Sequence, residues 1–430
     1  MKARLTALEK HWILYDIGNS AFTLLIATLL PIYFSALADG AGLSESNYLA
    51  YWGYAGSVST LLVAFIAPIC GTLADQKGFK KPLFLLCVAL GVAGCGGLGV
   101  AWNWLSFLVI FVIAKVGYSA SLVFYDSMLP EITTPAKMDN VSSLGYAYGY
   151  IGSVLPFAAC LAIVLGYEAI GISQITALIL SFAITAVWWV LCTVPLTRSY
   201  RQRAFASPGG NPITATFRQL GKTFRDARKE KHIFLYLLAF FFFIDGVYTI
   251  IDMATAYGKS LGLDTTGLLL ALLVTQIVAF PCSIIFGRLS AKYETGLLIK
   301  VCILCYTGIT LFAVFLNYAW QFWMLAVLVG MFQGGIQALS RSYLGKIVPP
   351  QRSGEYYGLM DICGKGASFV GTTLVAVVSQ LTDGLHFRFL GLEIQNTGIA
   401  VGSLVVLFII GFILFCKADV LNKSLTGATS

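Results

Sequence analysis

Charge is what this chain has little of. Asp, Glu, Lys and Arg make up 11% of its 430 residues, against roughly a quarter in a soluble domain. So few charges cannot cover a water-facing surface of this size. Histidine is scarce as well: His11, His232 and His386 lie far apart near span ends, and no metal site is expected. There is no G-x-x-x-x-G-K-[S/T] loop, which argues against ATP-driven work. An integral-membrane enzyme would need His, Glu or Ser/Lys groups clustered at one leaflet. None is clustered, so neither an enzymatic activity nor a cofactor is expected.

Hydrophobic residues fill the gap, at 58% of the chain and a mean hydropathy of +0.82. A helix crosses a bilayer with about 20 mainly apolar residues. Such stretches recur near 12–38, 48–74, 82–101, 105–127, 141–165 and 174–195, then 232–257, 265–287, 297–316, 321–344, 355–382 and 397–416. They are long and continuous, unlike the short alternating segments of a barrel. The expected fold is an all-α integral membrane protein of twelve transmembrane helices in two six-helix bundles. Span 1 contains Asp16 and lacks a small-residue cleavage site, so it does not read as a cleaved signal peptide.

With the N-terminus inside, 24 of the 28 Lys and Arg residues fall on the inner side, in loops or at the inner ends of spans. The positive-inside rule therefore orients both termini to the cytoplasm, and a bacterial inner membrane is the expected location of this multi-pass protein. The net charge of +8 follows from this topology and does not point to nucleic acid. The ten cysteines lie in or at the ends of apolar spans. Cys302 and Cys305 have redox or metal spacing, but they sit in an apolar helix with no histidine near and read as packing.

The longest polar interval, 196–231, is basic and contains the stretch SPGGNP. It separates an N-terminal bundle, 1–195, from a C-terminal bundle, 232–430. Within it, Ile213, Phe217, Leu220 and Phe224 follow helical spacing. That pattern fits an amphipathic linker on an anionic leaflet, and a plain solvated linker fits too.

The two halves repeat. GTLADQKGFKK from Gly71 aligns with GRLSAKYETG from Gly287, and DSMLPEITTPAKMDN from Asp126 with RSYLGKIVPPQRSGE from Arg341. Each half has an even number of spans, so both insert the same way up, as in carriers built from parallel repeats. GTLADQKGFKKP resembles the signature loop of the major facilitator superfamily. YDIGNSAF, LPEI and VSSLGYAYGYIGS resemble more narrowly its vacuole-effluxer branch, whose fungal namesake exports amino acids from the vacuole.

The resemblance implies that Asp75 meets a helix N-terminus and holds the cytoplasmic side shut in the outward-facing state. Gly71, Gly78, Lys81, Asp126, Glu131, Arg288 and Arg341 are the other gating candidates, with Lys137 or Arg341 expected near Asp126 and Glu131. The second copy has Ala291 where Asp75 stands, so an asymmetric gate is expected. A merely topogenic basic loop is the alternative.

An ionisable residue inside a span marks a pathway, a proton relay or an ion pair. In the superfamily, spans 1, 4, 7 and 10 line the cavity, and each carries a polar stripe here. Span 1 has Asp16, Asn19 and Thr23, span 4 Lys115 and Tyr118, span 7 Asp245, Tyr248 and Asp252, and span 10 Gln333 and Gln337. At 1.5 Å rise per residue, Asp245 lies roughly 20 Å beyond His232, whereas Asp16 is only about 6 Å past Trp12. Asp245 is the expected protonatable carboxylate, with Lys115 its counter-ion or the partner of a substrate carboxylate. A static Lys115–Asp245 pair is the alternative. Asp361 and Lys365, four apart in span 11, read as a structural ion pair. The small residues of SLGYAYGYIGS allow close helix packing.

The expected function is secondary transport by alternating access, exporting a small polar or amphipathic solute such as an amino acid. Protons are the expected coupling ion, and the expected unit is a monomer in a lipid bilayer. A lipid, lysolipid or drug transporter of the same fold and a non-transporting membrane sensor are the alternatives.

Overall fold

The computed structural model describes residues 4–206, 212–225, 230–382, 387–389, 392–394 and 396–427. The SPGGN stretch of the linker and residues 226–229 lie outside them. Twelve helices are long and apolar enough to cross a membrane. Spans 1 to 6 are Ala7–Gly40, Glu45–Ala74, Lys80–Gly97, Trp104–Ser127, Pro135–Leu165 and Gln174–Ser199. Spans 7 to 11 are Lys231–Ser260, Thr265–Leu289, Thr295–Val314, Ala319–Ile347 and Ser353–Leu381, and span 12 combines Asn396–Gly402 with Val405–Gly427. A short antiparallel hairpin pairs Phe387–Phe389 with Leu392–Ile394.

Helix ends follow local chemistry. Thr6 and Glu9 form a capping box at the start of span 1, and Asn103 with Ser106 forms another at span 4, satisfying N–H groups that the helix leaves orphaned. Span 4 ends at Ser127 because Pro130 follows in a one-turn helix, Leu129–Ile132. In the linker helix, Pro212–Arg225, Thr216 and Thr223 are buried and Phe217 is 55% exposed, while the side chains of Ile213, Leu220 and Phe224 lie outside the described ones.

The chain forms two compact units. One comprises Met1–Thr134, Tyr148–Phe217 and Pro350–Gly358, the other Pro135–Ala147, Arg218–Pro349 and Leu359–Ser430. Spans 5 and 11 therefore each divide between the units. Inside the first unit, span 1 packs on 6, span 3 on 4 and 6, and span 2 on 4. Inside the second, span 7 packs on 12, span 9 on 10 and 12, and span 8 on 10. The same pairing recurs six spans later, which is the structural form of the sequence repeat.

Small residues permit these approaches. A Cβ on Gly152 would stand 2.5 Å from Ile17 Cγ2, and one on Gly149 would stand 2.8 Å from Ser20 Oγ. Span 5 can thus lie directly on span 1 only where side chains are missing. Trp12 stacks on Tyr125 with ring centroids 4.3 Å apart, and its indole N–H donates to the Tyr125 carbonyl.

Candidate functional site

In the first unit, the loop after span 2 is built around Asp75, which is 3% exposed. Its Oδ1 accepts from Gly354 N at 2.7 Å and its Oδ2 from Glu355 N at 2.8 Å. These are orphan N–H groups of the first turn of span 11, where the helix dipole also favours an anion. Gly71 and Gly354 make the contact possible, because a Cβ on either would run into the other's carbonyl oxygen. Gly78 turns the chain at φ +83°, a left-handed conformation that glycine adopts without steric cost.

A buried cation stands beside this carboxylate. Lys80 is fully buried; its Nζ lies 2.7 Å from Glu131 Oε1, 3.0 Å from Ser353 Oγ and 3.8 Å from Asp75 Oδ1. Glu131 also accepts from Tyr200 Oη at 3.1 Å and from the backbone N–H groups of Arg203 and Ala204. So Lys80 neutralises Glu131 from within the same unit. Burial pushes the Asp75 carboxyl up to about 7, against the opposing pull of Lys80 and of the two N–H donors. Lys81 is half-buried at the head of span 3, and Asp126 is half-buried at the end of span 4.

The second unit holds a cluster at the same stage of the repeat. Asp139, on the part of span 5 that belongs to this unit, accepts from Ser342 Oγ at 2.6 Å, Thr295 Oγ1 at 2.7 Å and Lys346 Nζ at 2.5 Å. Thr295 stands 215 residues after Lys80, and Lys346 215 after Glu131. The positions recur with the charges rearranged: the lysine has moved from the head of the odd span to the end of the even one, a neutral threonine stands at the head, and Asp139 supplies the carboxylate. Arg341, 3% exposed, donates to Ser142 Oγ and to its carbonyl, and lies 4.4 Å from the Tyr146 ring. Gly287, the counterpart of Gly71, packs on Ser143, whereas Arg288 is exposed.

Sequence reasoning passed over Lys80, Tyr200, Asp139 and Lys346. Aligning the repeat position by position would have drawn attention to Thr295 and Lys346 as counterparts of Lys80 and Glu131. Nothing local marks Asp139, because its partners are 156 to 207 residues away.

Among the intramembrane candidates, Asp245 is fully buried. Its Oδ1 accepts from Gly371 N at 3.0 Å and Thr249 Oγ1 at 3.2 Å, while its buried Oδ2 has no hydrogen-bond partner among the described residues. Tyr248 is half-buried near Gly364, and Asp252 is exposed. Asp361 and Lys365 contact each other along span 11 at 2.5 Å.

In the first unit, Thr23 Oγ1 and Tyr118 Oη lie 2.8 Å apart, so the stripes of spans 1 and 4 meet there. Asn19 instead turns its amide to the Tyr15 carbonyl of its own helix, and Asp16 is 7% exposed. The Lys115 ammonium lies 5.8 Å from the Phe111 ring and close to Gly56.

The second unit also contains a partly open cavity of about 80 Å³, room for several waters when one needs on the order of 10–15 Å³. Its walls come from spans 7, 8, 9, 10 and 12 and are mainly apolar, with Ile250, Met253, Tyr257 and Phe322 prominent. Gln276 and the buried Gln333 bring carboxamides to it, and Gln337 lies half-buried one turn further on. Among the described residues no group of His, Cys, Asp and Glu could hold a metal ion.

The family model described as "Vacuole effluxer Atg22 like" matches residues 8–424. An uncharacterised MFS-type transporter of Bacillus subtilis, YxiO, is 39% identical over 419 residues, covering 96% of this chain and 95% of that protein. Autophagy-related protein 22 of Coccidioides immitis is 24% identical, over 84% of this chain and 66% of that protein. Among solved structures, the human organic anion transporter MFSD10 superposes with a TM-score of 0.71 at 15% identity, over 95% of this chain and 99% of that one. The transporter FucP in its outward conformation gives 0.68 at 15% identity, over 96% and 97%. At such identities the likeness shows the fold alone.

Proposed function

The chain belongs to the vacuole effluxer Atg22-like family of MFS-type secondary transporters, and from that premise we propose that it exports a small amphipathic solute, amino acids first, in exchange for protons. The observation that carries the coupling is Asp245. A buried carboxylate oxygen without a hydrogen bond is costly while the group is ionised, and protonation removes that charge. A carboxyl that alternates between a dry setting and a wet pathway takes up and releases a proton. The apolar cavity of the second unit supports an amphipathic cargo: it would take the apolar part, with Gln333 meeting the polar end.

In the same reading, the Asp75 contact is the latch of the cycle. Span 11 begins in one compact unit and continues in the other, so releasing its first turn from Asp75 frees the helix to move. Arg341 and the Asp139 cluster would have the corresponding role in the second unit. The site of action would be a bacterial inner membrane with both termini cytoplasmic.

The test is flux in proteoliposomes. An imposed pH gradient should drive radiolabelled amino-acid movement in the wild type, and Asp245→Asn should retain counterflow while losing the response to the gradient. Equal gradient-driven flux in the two proteins would refute the coupling. Absence of counterflow with every amino acid would refute the cargo and leave the lipid reading, which scrambling of a labelled lysolipid tests.

A further inference from the structure

We propose that Gln202 is the positioning residue of the Asp75 latch and that the linker's first stretch, Tyr200–Ala206, is a clasp fastened to the loop after span 2. The proposal rests on the latch reading of Asp75 given above. A single side chain engages both sides of the loop. The Gln202 amide nitrogen lies 2.9 Å from the Ala74 carbonyl oxygen, 3.1 Å from that of Gln76 and 3.3 Å from that of Ala204. Its Oε1 accepts from Gly78 N at 2.9 Å.

The last carbonyls of a helix have no partner within it, and here the linker supplies one. Asp75 sits between the two anchored carbonyls. Its own carbonyl accepts from Ala206 N at 2.7 Å, in a parallel bridge between Gln76 and Ala206. The backbone is therefore held at Ala74, Asp75, Gln76 and Gly78, and the direction of the Asp75 side chain follows from it. Further contacts fasten the clasp. Glu131 accepts from Arg203 N and Ala204 N, the Gln76 amide donates to Thr216 at 3.0 Å, and the Lys77 ammonium lies 5.5 Å from the Phe205 ring.

A glutamine suits this position because it both donates and accepts. A glutamate of nearly the same size can only accept, and it would set a charge against three carbonyl oxygens. Gln202→Glu is therefore a sharper probe than truncation. The readout is hydrogen exchange of the peptide containing Gly354 and Glu355 in the full-length protein in nanodiscs, with solute flux measured in parallel. Asp75→Asn and Gln202→Glu should each speed that exchange by about tenfold, equivalent to about 1.4 kcal/mol. The double variant should exchange no faster than Asp75→Asn alone, since Gln202 acts only through Asp75.

Additive effects, or unchanged exchange in Gln202→Glu when Asp75→Asn raises it, would overturn the proposal. Should the glutamate variant fail to fold, Gln202→Met keeps the volume, removes the polar atoms and is read in the same way. Faster exchange in Asp75→Asn without any change in flux would instead refute the latch reading and leave the positioning intact.

Discussion

Gly354 donates its backbone N–H to the Asp75 carboxylate at 2.7 Å although 279 residues separate the two. Each residue permits the contact through what it is. The aspartate supplies two acceptor oxygens for two adjacent N–H groups, and the glycine lets the backbones close. Removing the carboxylate leaves both donors buried and unsatisfied, at about 1–3 kcal/mol each. Asp75→Ala should accordingly shift the equilibrium away from the latched state by tenfold or more, read as faster labelling of a cysteine placed on the first turn of span 11.

The Gly71–Gly354 approach gives a second, steric test. Gly71→Ala should weaken the latch as Asp75→Ala does, because its Cβ would strike the Gly354 carbonyl; overpacking of this kind costs about 1–3 kcal/mol. Gly354→Ala should act alike, and the double alanine variant should be less than additive. Full additivity in the labelling assay would mean that the two glycines do not share one contact.

The latch should respond to pH. The Asp75 carboxyl, ordinarily near 3.8, is pushed up to about 7 by burial; Lys80 and the Glu355 and Gly354 N–H groups pull it down, and the Glu355 charge adds to the rise. A carboxyl with a higher pKa when latched than when hydrated binds its proton more tightly in the latched state. Latching therefore gains as pH falls from about 7 toward 3.8 and loses as pH rises through 7. Exchange of the Gly354 peptide, corrected for intrinsic rate, should increase from pH 6 to pH 8. Asp75→Asn should flatten that profile.

Asp139 carries a stability prediction. The Asp139–Lys346 pair is only partly buried, its lysine side chain 26% exposed, so removing one partner costs less than the about 3–5 kcal/mol of a fully buried pair. Asp139→Leu should lower the thermal midpoint markedly, since it strands Lys346 and the Thr295 and Ser342 hydroxyls. Combining it with Lys346→Met should recover part of the loss. A double variant as unstable as the single one would show that the hydroxyl contacts, not the ion pair, dominate.

The twelve spans were legible because a lipid-facing helix announces itself in about 20 consecutive residues. The pattern needs no knowledge of neighbours. The loop repeat was legible for a similar reason: a turn, a glycine and a basic cluster are local features. Asp245 could be singled out by depth alone, since a carboxylate so far into an apolar run is rare.

What tertiary structure decided is the pairing. Sequence placed Glu131 among the gate charges but offered no ground for choosing Lys80 as its partner, because the two stand 51 residues apart and only packing brings them together. It expected asymmetry from Ala291, and the fold adds that Asp139 brings a carboxylate to the second copy from a different span. The linker shows the same limit. Its composition reads as a tether, yet Gln202 and Ala206 bind the loop after span 2 through backbone groups that no side-chain pattern reveals. Hydropathy reports how each residue meets its solvent, whereas hydrogen bonds between residues some 70 to 280 apart depend on where the folded backbone places their atoms.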